Sequence, residues 1–372
     1  MRNVAAVLAL AVVVCLAVGC PNPEEQESSP TVYTAGYYAV AGYPNPCYWV
    51  GTTRHELPLP TGAVSARATS IFVDGGAASA AVVYASGFSS KGGKNVPCYW
   101  DATTWHDLET IGTGNDGYAQ SIVVSGGTVY IAGYCHDGSK HVPCYWTGTT
   151  KKDLPTPGSV EGYARSLVVF SGVVHVAGSY SGSPNTACYW TDDGTTVSRE
   201  DLPVPAESDP ADGYGICMYE GAVYVAGRSG GIGTNPQACY WIADGIHRPT
   251  QVPLGGYGDA DTWWAEGISV QTGIVYTAGG AETSLGSTAA GLWIDTTWAG
   301  LTAPDDDEIN AYAIDVAQGV PYVAGSWWDS VEDNYIPCYW SGTPATGIIR
   351  HDLPDSDPAS EALAIFLVET QP

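Results

Sequence analysis

The sequence predicts an all-β chain folded as a seven-bladed β-propeller of four-stranded blades, and three observations predict it. Close copies of Pro143-Cys144-Tyr145-Trp146 recur along the chain, ending in Trp49, Trp100, Trp146, Trp190, Trp241, Trp293 and Trp340. Successive copies lie 44 to 52 residues apart, the interval of propeller blades rather than of helical repeats. Between them run short apolar segments punctuated by Gly and Pro, with no long stretch at helical spacing. Finally, the array begins and ends in the middle of a unit.

The third copy shows the unit most clearly. Ala119-Gln120-Ser121-Ile122-Val123-Val124, the turn Ser125-Gly126-Gly127 and Thr128-Val129-Tyr130-Ile131-Ala132-Gly133 read as two strands joined by a tight glycine turn. The Cys-Tyr-Trp strand follows, then a Thr-Gly-Thr-Thr turn and a strand ending in Asp153-Leu154-Pro155. Four strands make a blade; they are called a, b, c and d in chain order. Strand a carries a small-x-small-aliphatic pattern in every unit, with x running Thr69, Gln120, Arg165, Tyr214, Glu266, Tyr312 and Leu363. The small residues suit the crowded innermost position. The first unit starts at strand b, Thr31 to Gly36, and the last strand a, Ala362 to Glu369, has no successor. The C-terminal strand is therefore expected to pair into the N-terminal blade, closing the ring, leaving no open edge and giving a monomer.

Ahead of the array, Met1-Arg2-Asn3 precedes an apolar run from Val4 to Val18 that is short for a bilayer span and fits an export signal. Ala17-Val18-Gly19-Cys20 resembles the bacterial lipoprotein signal, which implies a signal peptide over 1–19 and lipidation of Cys20; an ordinary secretory signal cut nearby is the alternative. Residues 20–30, rich in Pro, Glu and Ser after the cysteine, read as a disordered tether, and 31–372 as the propeller. The expected location is the bacterial cell envelope, with the membrane touched only through the lipid.

Removing the signal takes away Arg2 and no acid, so the formal charge becomes 12 minus 39, or −27. That excess argues against nucleic acid and anionic lipid as partners, because both require a basic face. Cys47, Cys98, Cys144, Cys188, Cys239 and Cys338 share one position in six units. Equivalent positions in neighbouring blades are too far apart for disulfides, so these are expected to be buried thiols packed in an apolar slot.

The order Ile122, Gly127, Val129-Tyr130-Ile131-Ala132-Gly133, Tyr145-Trp146 and Asp153-Leu154 resembles the bacterial extracellular HAF repeat family. The resemblance covers all seven units. It is weakest in the sixth, which has Gly291-Leu292-Trp293, and Cys-Tyr and Leu-Pro stand where that family tends to Phe-Leu and Leu-Gly. It implies an extracellular propeller and no defined activity.

Chain direction puts the long b-c and d-a loops on one face, the natural place for function on a rigid scaffold. The candidate ligand-binding residues there are Tyr37, Tyr38, Tyr134, Arg165, Tyr214, Trp264, Tyr312, Trp327 and Trp328; the alternative for the aromatics is packing over the blades. Trp327-Trp328 has no counterpart in other units and is expected to be an exposed anchor. Acids gather in d-a loops, including Asp209, Asp212, Asp259, Asp261, Asp305, Asp306, Asp307, Glu308, Asp355 and Asp357, but no segment matches a calcium loop. Cys135-His136 with His141 is a weak zinc pattern, having no matching partner pair. No metal or cofactor is expected. Nucleophile-elbow, H-E-x-x-H, P-loop and S-x-x-K motifs do not occur, so catalysis is not indicated. The expectation is a non-enzymatic envelope lipoprotein that binds a glycan or protein; the alternative is a polysaccharide-active hydrolase or lyase on the same face.

Overall fold

The computed structural model describes residues 29–75, 81–101, 104–112, 114–207, 209–230, 235–256, 262–282, 288–303, 308–353 and 360–369. Those residues form seven antiparallel sheets of four strands each. In each sheet the order is a-b-c-d, and the helical content is one short turn at Pro157–Ser159. The fold is the expected seven-bladed propeller, and it closes as expected. Strand a of the first blade is the C-terminal Glu361–Val368, which pairs antiparallel with Thr31–Val40, from Thr31 opposite Val368 to Tyr37 opposite Glu361.

The recurring tryptophan is the rivet between blades. All seven are 0 to 1% exposed. Each indole is too large to bury without a partner for its N–H, and that partner is the carbonyl just past the strand d leucine of the preceding blade. Trp100 Nε1 donates to Pro58 O at 2.9 Å, Trp146 to Glu109 O at 2.7 Å and Trp190 to Pro155 O at 2.8 Å. Trp241, Trp293 and Trp340 repeat the contact to Pro203, Gly255 and Thr302. For Trp49 the equivalent carbonyl, after Leu353, lies outside the described residues. The six repeat cysteines are buried beside these rings and none is in a disulfide. Burial raises the Cys98, Cys144, Cys188, Cys239 and Cys338 thiols above their ordinary range.

Strand a departs from a regular ladder at its small-x-small segment in every blade, and in the second blade between Ala63 and Ser65 as well. The register against strand b skips between Ala119 and Ser121, Ala164 and Ser166, Ala265 and Gly267, and Ala311 and Ala313. The remaining blades skip at Thr69, across Tyr214 to Ile216, and at Leu363. Each x residue is thus the extra residue of a β-bulge, or one of the two in the fifth blade, and a bulge re-aims its side chain. The bulge also explains the Ala-Gly of strand b. A Cβ on Gly133 would lie 2.0 Å from the Tyr118 carbonyl oxygen and 2.9 Å from the Trp146 ring, so no side chain fits there.

Innermost strands are stitched to one another directly. Ser70 Oγ and Ser121 Oγ each accept from a backbone N–H of the next blade, of Ile122 and Leu167, at 3.2 Å. Asp315 accepts from Leu367 N at 3.0 Å across the closure. The small neighbours of x are therefore small because the strands approach closely enough for one hydroxyl to span the gap.

Candidate functional site

The seven strands a enclose a central channel with a volume of about 590 Å³. The bulged residues Thr69, Gln120, Arg165, Tyr214, Glu266, Tyr312 and Leu363 line it toward the b-c and d-a face. Three residues further along, Phe72, Val123, Val168, Cys217, Ser269, Asp315 and Phe366 line the opposite end. That end is mostly apolar, with Phe72 and Phe366 in ring contact at 5.0 Å. One mouth is consequently polar and aromatic, and the other is lined mostly by apolar side chains.

Two residues before each x, on the same side of the strand by period-two alternation, stand Arg67, Tyr118, Tyr163, Asp212, Trp264, Asn310 and Glu361. They widen the polar mouth into a continuous set of contacts. Tyr134 packs against Tyr118 at 5.1 Å and edge-on against Tyr163 at 5.0 Å. His141 Nδ1 is 2.6 Å from Glu161 Oε1 and 3.2 Å from the Tyr163 hydroxyl. The Arg165 guanidinium lies 5.6 Å from the Tyr163 ring centre and 5.1 Å from that of Tyr214. Beyond Tyr214, Arg228 pairs with Asp212 at 3.0 Å. On the other side Arg67 sits 4.3 Å over the Tyr37 ring.

Electrostatics follow from this crowding. Burial raises the Glu266 carboxyl above its usual range, an effect opposed by Arg165 and Arg228. Glu361 is raised by burial while Tyr37 and Arg67 favour its charge. Burial, then the hydrogen bond to Glu161, pushes the Tyr163 hydroxyl up to about 12. Tyr214 and Tyr312 are raised by burial as well. At the apolar end, burial lifts Asp315 to about 6 against two backbone N–H donors.

Of the nine residues expected at a site, Tyr134, Arg165, Tyr214, Trp264 and Tyr312 come together at the mouth, Trp264 lying over Gly280, and Tyr37 lies beside them but is 5% exposed beneath Arg67. Trp328 stands at its rim, edge-on to Tyr335 at 5.0 Å. The other two point away. Trp327 is 6% exposed, packed with Ile309 and Ile336 and donating to Asp352 at 3.2 Å. Tyr38, 8% exposed, lies under Arg54, which is 4.0 Å from its ring centre. Successive residues of a strand face opposite sides, so Tyr37-Tyr38 and Trp327-Trp328 each split between mouth and packing. The expected exposed tryptophan pair is a single half-buried tryptophan.

Reading the variable x alone missed Arg67, Tyr118, His141, Tyr163, Arg228 and Glu361; stepping back two residues from each x finds four of them. Asp209 is buried and accepts from Ala206 N at 3.0 Å, a loop-shaping contact. Asp259, Asp261, Asp305, Asp306, Asp307, Asp355 and Asp357 lie outside the described residues. The His136 and His141 rings meet at 5.1 Å, while Cys135 turns into the core beside Cys144, its Sγ 4.0 Å away. Among the described residues no three of His, Cys, Asp and Glu converge as a metal site.

No family model matches this chain, and no curated protein does. Among solved structures, it is similar to a polysaccharide lyase of an ulvan lyase family, at 9% identity and a TM-score of 0.50, covering 77% of this chain and 80% of that one. The same lyase bound to a glucuronate and rhamnose-3-sulfate repeat aligns over 90% of this chain and 93% of its own, with TM-score 0.50 and 9% identity. An α-L-arabinofuranosidase from Clostridium thermocellum aligns over 66% of this chain and 95% of its own, at 13% identity and TM-score 0.37. At such identities the likeness is one of fold alone, a β-propeller.

Proposed function

We propose that the protein is a glycan-binding propeller of the cell envelope, anchored through a lipidated Cys20, whose ligand enters the channel mouth on the b-c and d-a face. The observation that supports this is the ring of bulges. Seven strands use the same local distortion to aim seven side chains, of six residue types, at one opening. A scaffold need only repeat; a site needs asymmetry. The mouth offers phenol and indole faces from Tyr163, Tyr214, Trp264 and Tyr312, which suit the apolar faces of sugar rings. Its concave form, opening into a channel of about 590 Å³, fits a chain end or short glycan better than a flat protein epitope. Titration calorimetry of the mature protein against a panel of neutral and acidic polysaccharides tests the proposal. Binding that is lost in Tyr214→Ala supports it, and no binding to any member counts against it.

A second reading, a polysaccharide lyase at the same mouth, is favoured by the Glu161, His141 and Tyr163 cluster beside Arg165. Elimination next to a uronate carboxyl needs a proton acceptor and a cation on the carboxylate, and these residue types adjoin here. The high pKa of Tyr163 weighs against it as a ground-state base. Ultraviolet absorbance of an unsaturated product, measured with a polyuronate substrate, decides between binding alone and turnover.

A further inference from the structure

Arg165 is the unusual cation of this molecule. The chain holds 13 Lys and Arg against 39 Asp and Glu, so an arginine without a carboxylate partner runs against composition. Of the cations close by, Arg228 is paired with Asp212, and Arg67 lies over Tyr37 and favours the charge of Glu361, as Arg165 favours that of Glu266. Among the described residues Arg165 makes no ion pair, and its Nε is buried without a hydrogen-bond partner. The Tyr163 and Tyr214 ring centres lie 5.6 Å and 5.1 Å from its guanidinium, and Glu266, whose charge Arg165 favours, makes no ion pair with it. Such a cation is costly to hold unless something completes it.

We infer that Arg165 is the seat of an anionic group on the ligand, a carboxylate or a sulfate carried by a sugar. The inference rests on the glycan reading and narrows it to acidic glycans. A guanidinium with its Nε unpartnered and no ion pair keeps N–H groups for two-pronged contact with a flat or tetrahedral oxyanion. Arg165 projects from a bulge into the channel lining, so the anion would enter the mouth while the sugar ring lies along Tyr214 or Tyr163. The overall negative charge of the protein opposes approach of a polyanion only at long range and is screened within about 8 Å at physiological salt. The contact at Arg165 is short-ranged and partly shielded from water, so it survives that screening.

The test is affinity of the full mature protein for three chains that differ in charge: a polyuronate free of sulfate, a sulfated neutral galactan, and dextran. The expected result is binding to one or both acidic chains at least about tenfold tighter than to dextran, a difference of about 1.4 kcal/mol. Arg165→Gln should remove most of that preference, and Arg165→Lys should restore only part of it, since an ammonium gives a point charge without the planar fork. The uronate and sulfated arms identify which anion is read. Equal binding of dextran and the acidic chains, or unchanged preference in Arg165→Gln, overturns the inference and leaves the glycan reading standing. Failure of all three chains to bind removes both. Should Arg165→Gln fail to fold, competition of the wild-type protein by free glucuronate and sulfate against free glucose answers the same question, an anion-specific loss of bound polysaccharide being expected and equal displacement by glucose overturning the inference.

Discussion

Trp146 Nε1 donates a hydrogen bond to the carbonyl oxygen of Glu109, 2.7 Å away in the preceding blade. The ring is fully buried, and the same contact joins five further neighbouring pairs of blades. Trp146→Phe keeps most of the apolar volume but leaves that carbonyl without its donor. A loss of roughly 1–3 kcal/mol is expected, read as a shift in denaturant midpoint with no change in glycan affinity.

Ring closure is expected to carry much of the cooperativity. Deleting residues 360–372 strips the innermost strand from the first blade and bares the edge of Thr31–Val40. The truncated protein should melt far below the full chain and associate through that edge. Sedimentation together with a melting curve checks it; an unchanged transition in a monomer would contradict closure.

Trp327 and Trp328 should separate cleanly. Trp327→Ala empties a buried position beside Ile309 and Ile336 and should cost about 3–5 kcal/mol of stability. Trp328→Ala, at the rim, should leave the melting temperature nearly unchanged and weaken glycan binding. Parallel melting and calorimetry on the two variants measure both effects.

Asp315 gives a pH signature of defined sign. Its carboxyl is lifted by burial from an ordinary 3.8 to about 6 in the folded protein. Between those values the folded state binds more protons than the unfolded one, so stability falls as pH rises through the window. Glu266 and Glu361 act in the same direction. Asp315→Asn should flatten the fall between about pH 4 and pH 6, measured as the difference in denaturant midpoint between variant and wild type.

The repeat thiols should be silent in the native protein. Cys47, Cys98, Cys188, Cys239 and Cys338 are 0 to 1% exposed, and a thiol with a raised pKa supplies little thiolate. Titration should detect them only after unfolding, and mass spectrometry showing a disulfide among these five would contradict the packing.

The architecture was legible because each blade repeats the same obligations: a tryptophan needing a carbonyl, a cysteine needing an apolar slot, a glycine under a bulge. Periodicity displays such obligations openly. The missing strand a at the start and the surplus one at the end likewise announced closure. Half the site was legible too, since Arg165, Tyr214 and Tyr312 stand where the repeat varies. What stayed hidden was direction. Two adjacent aromatics look alike in a sequence, yet Trp327 and Trp328 face opposite sides of one strand, and so do Tyr37 and Tyr38. The contacts among Tyr118, Tyr134, His141 and Tyr163 join residues from two blades, which no local pattern reveals.

The pairing of Thr31 with Val368 also fixes the pose of the disc. Strand b of the first blade starts, and the last strand a finishes, on the side of the short turns, by Phe72 and Phe366. Anything joined close to Thr31 or Val368 is therefore attached on the side away from the bowl, so an immobilisation tag placed at either of these strand ends would sit behind the ligand-facing surface rather than across it.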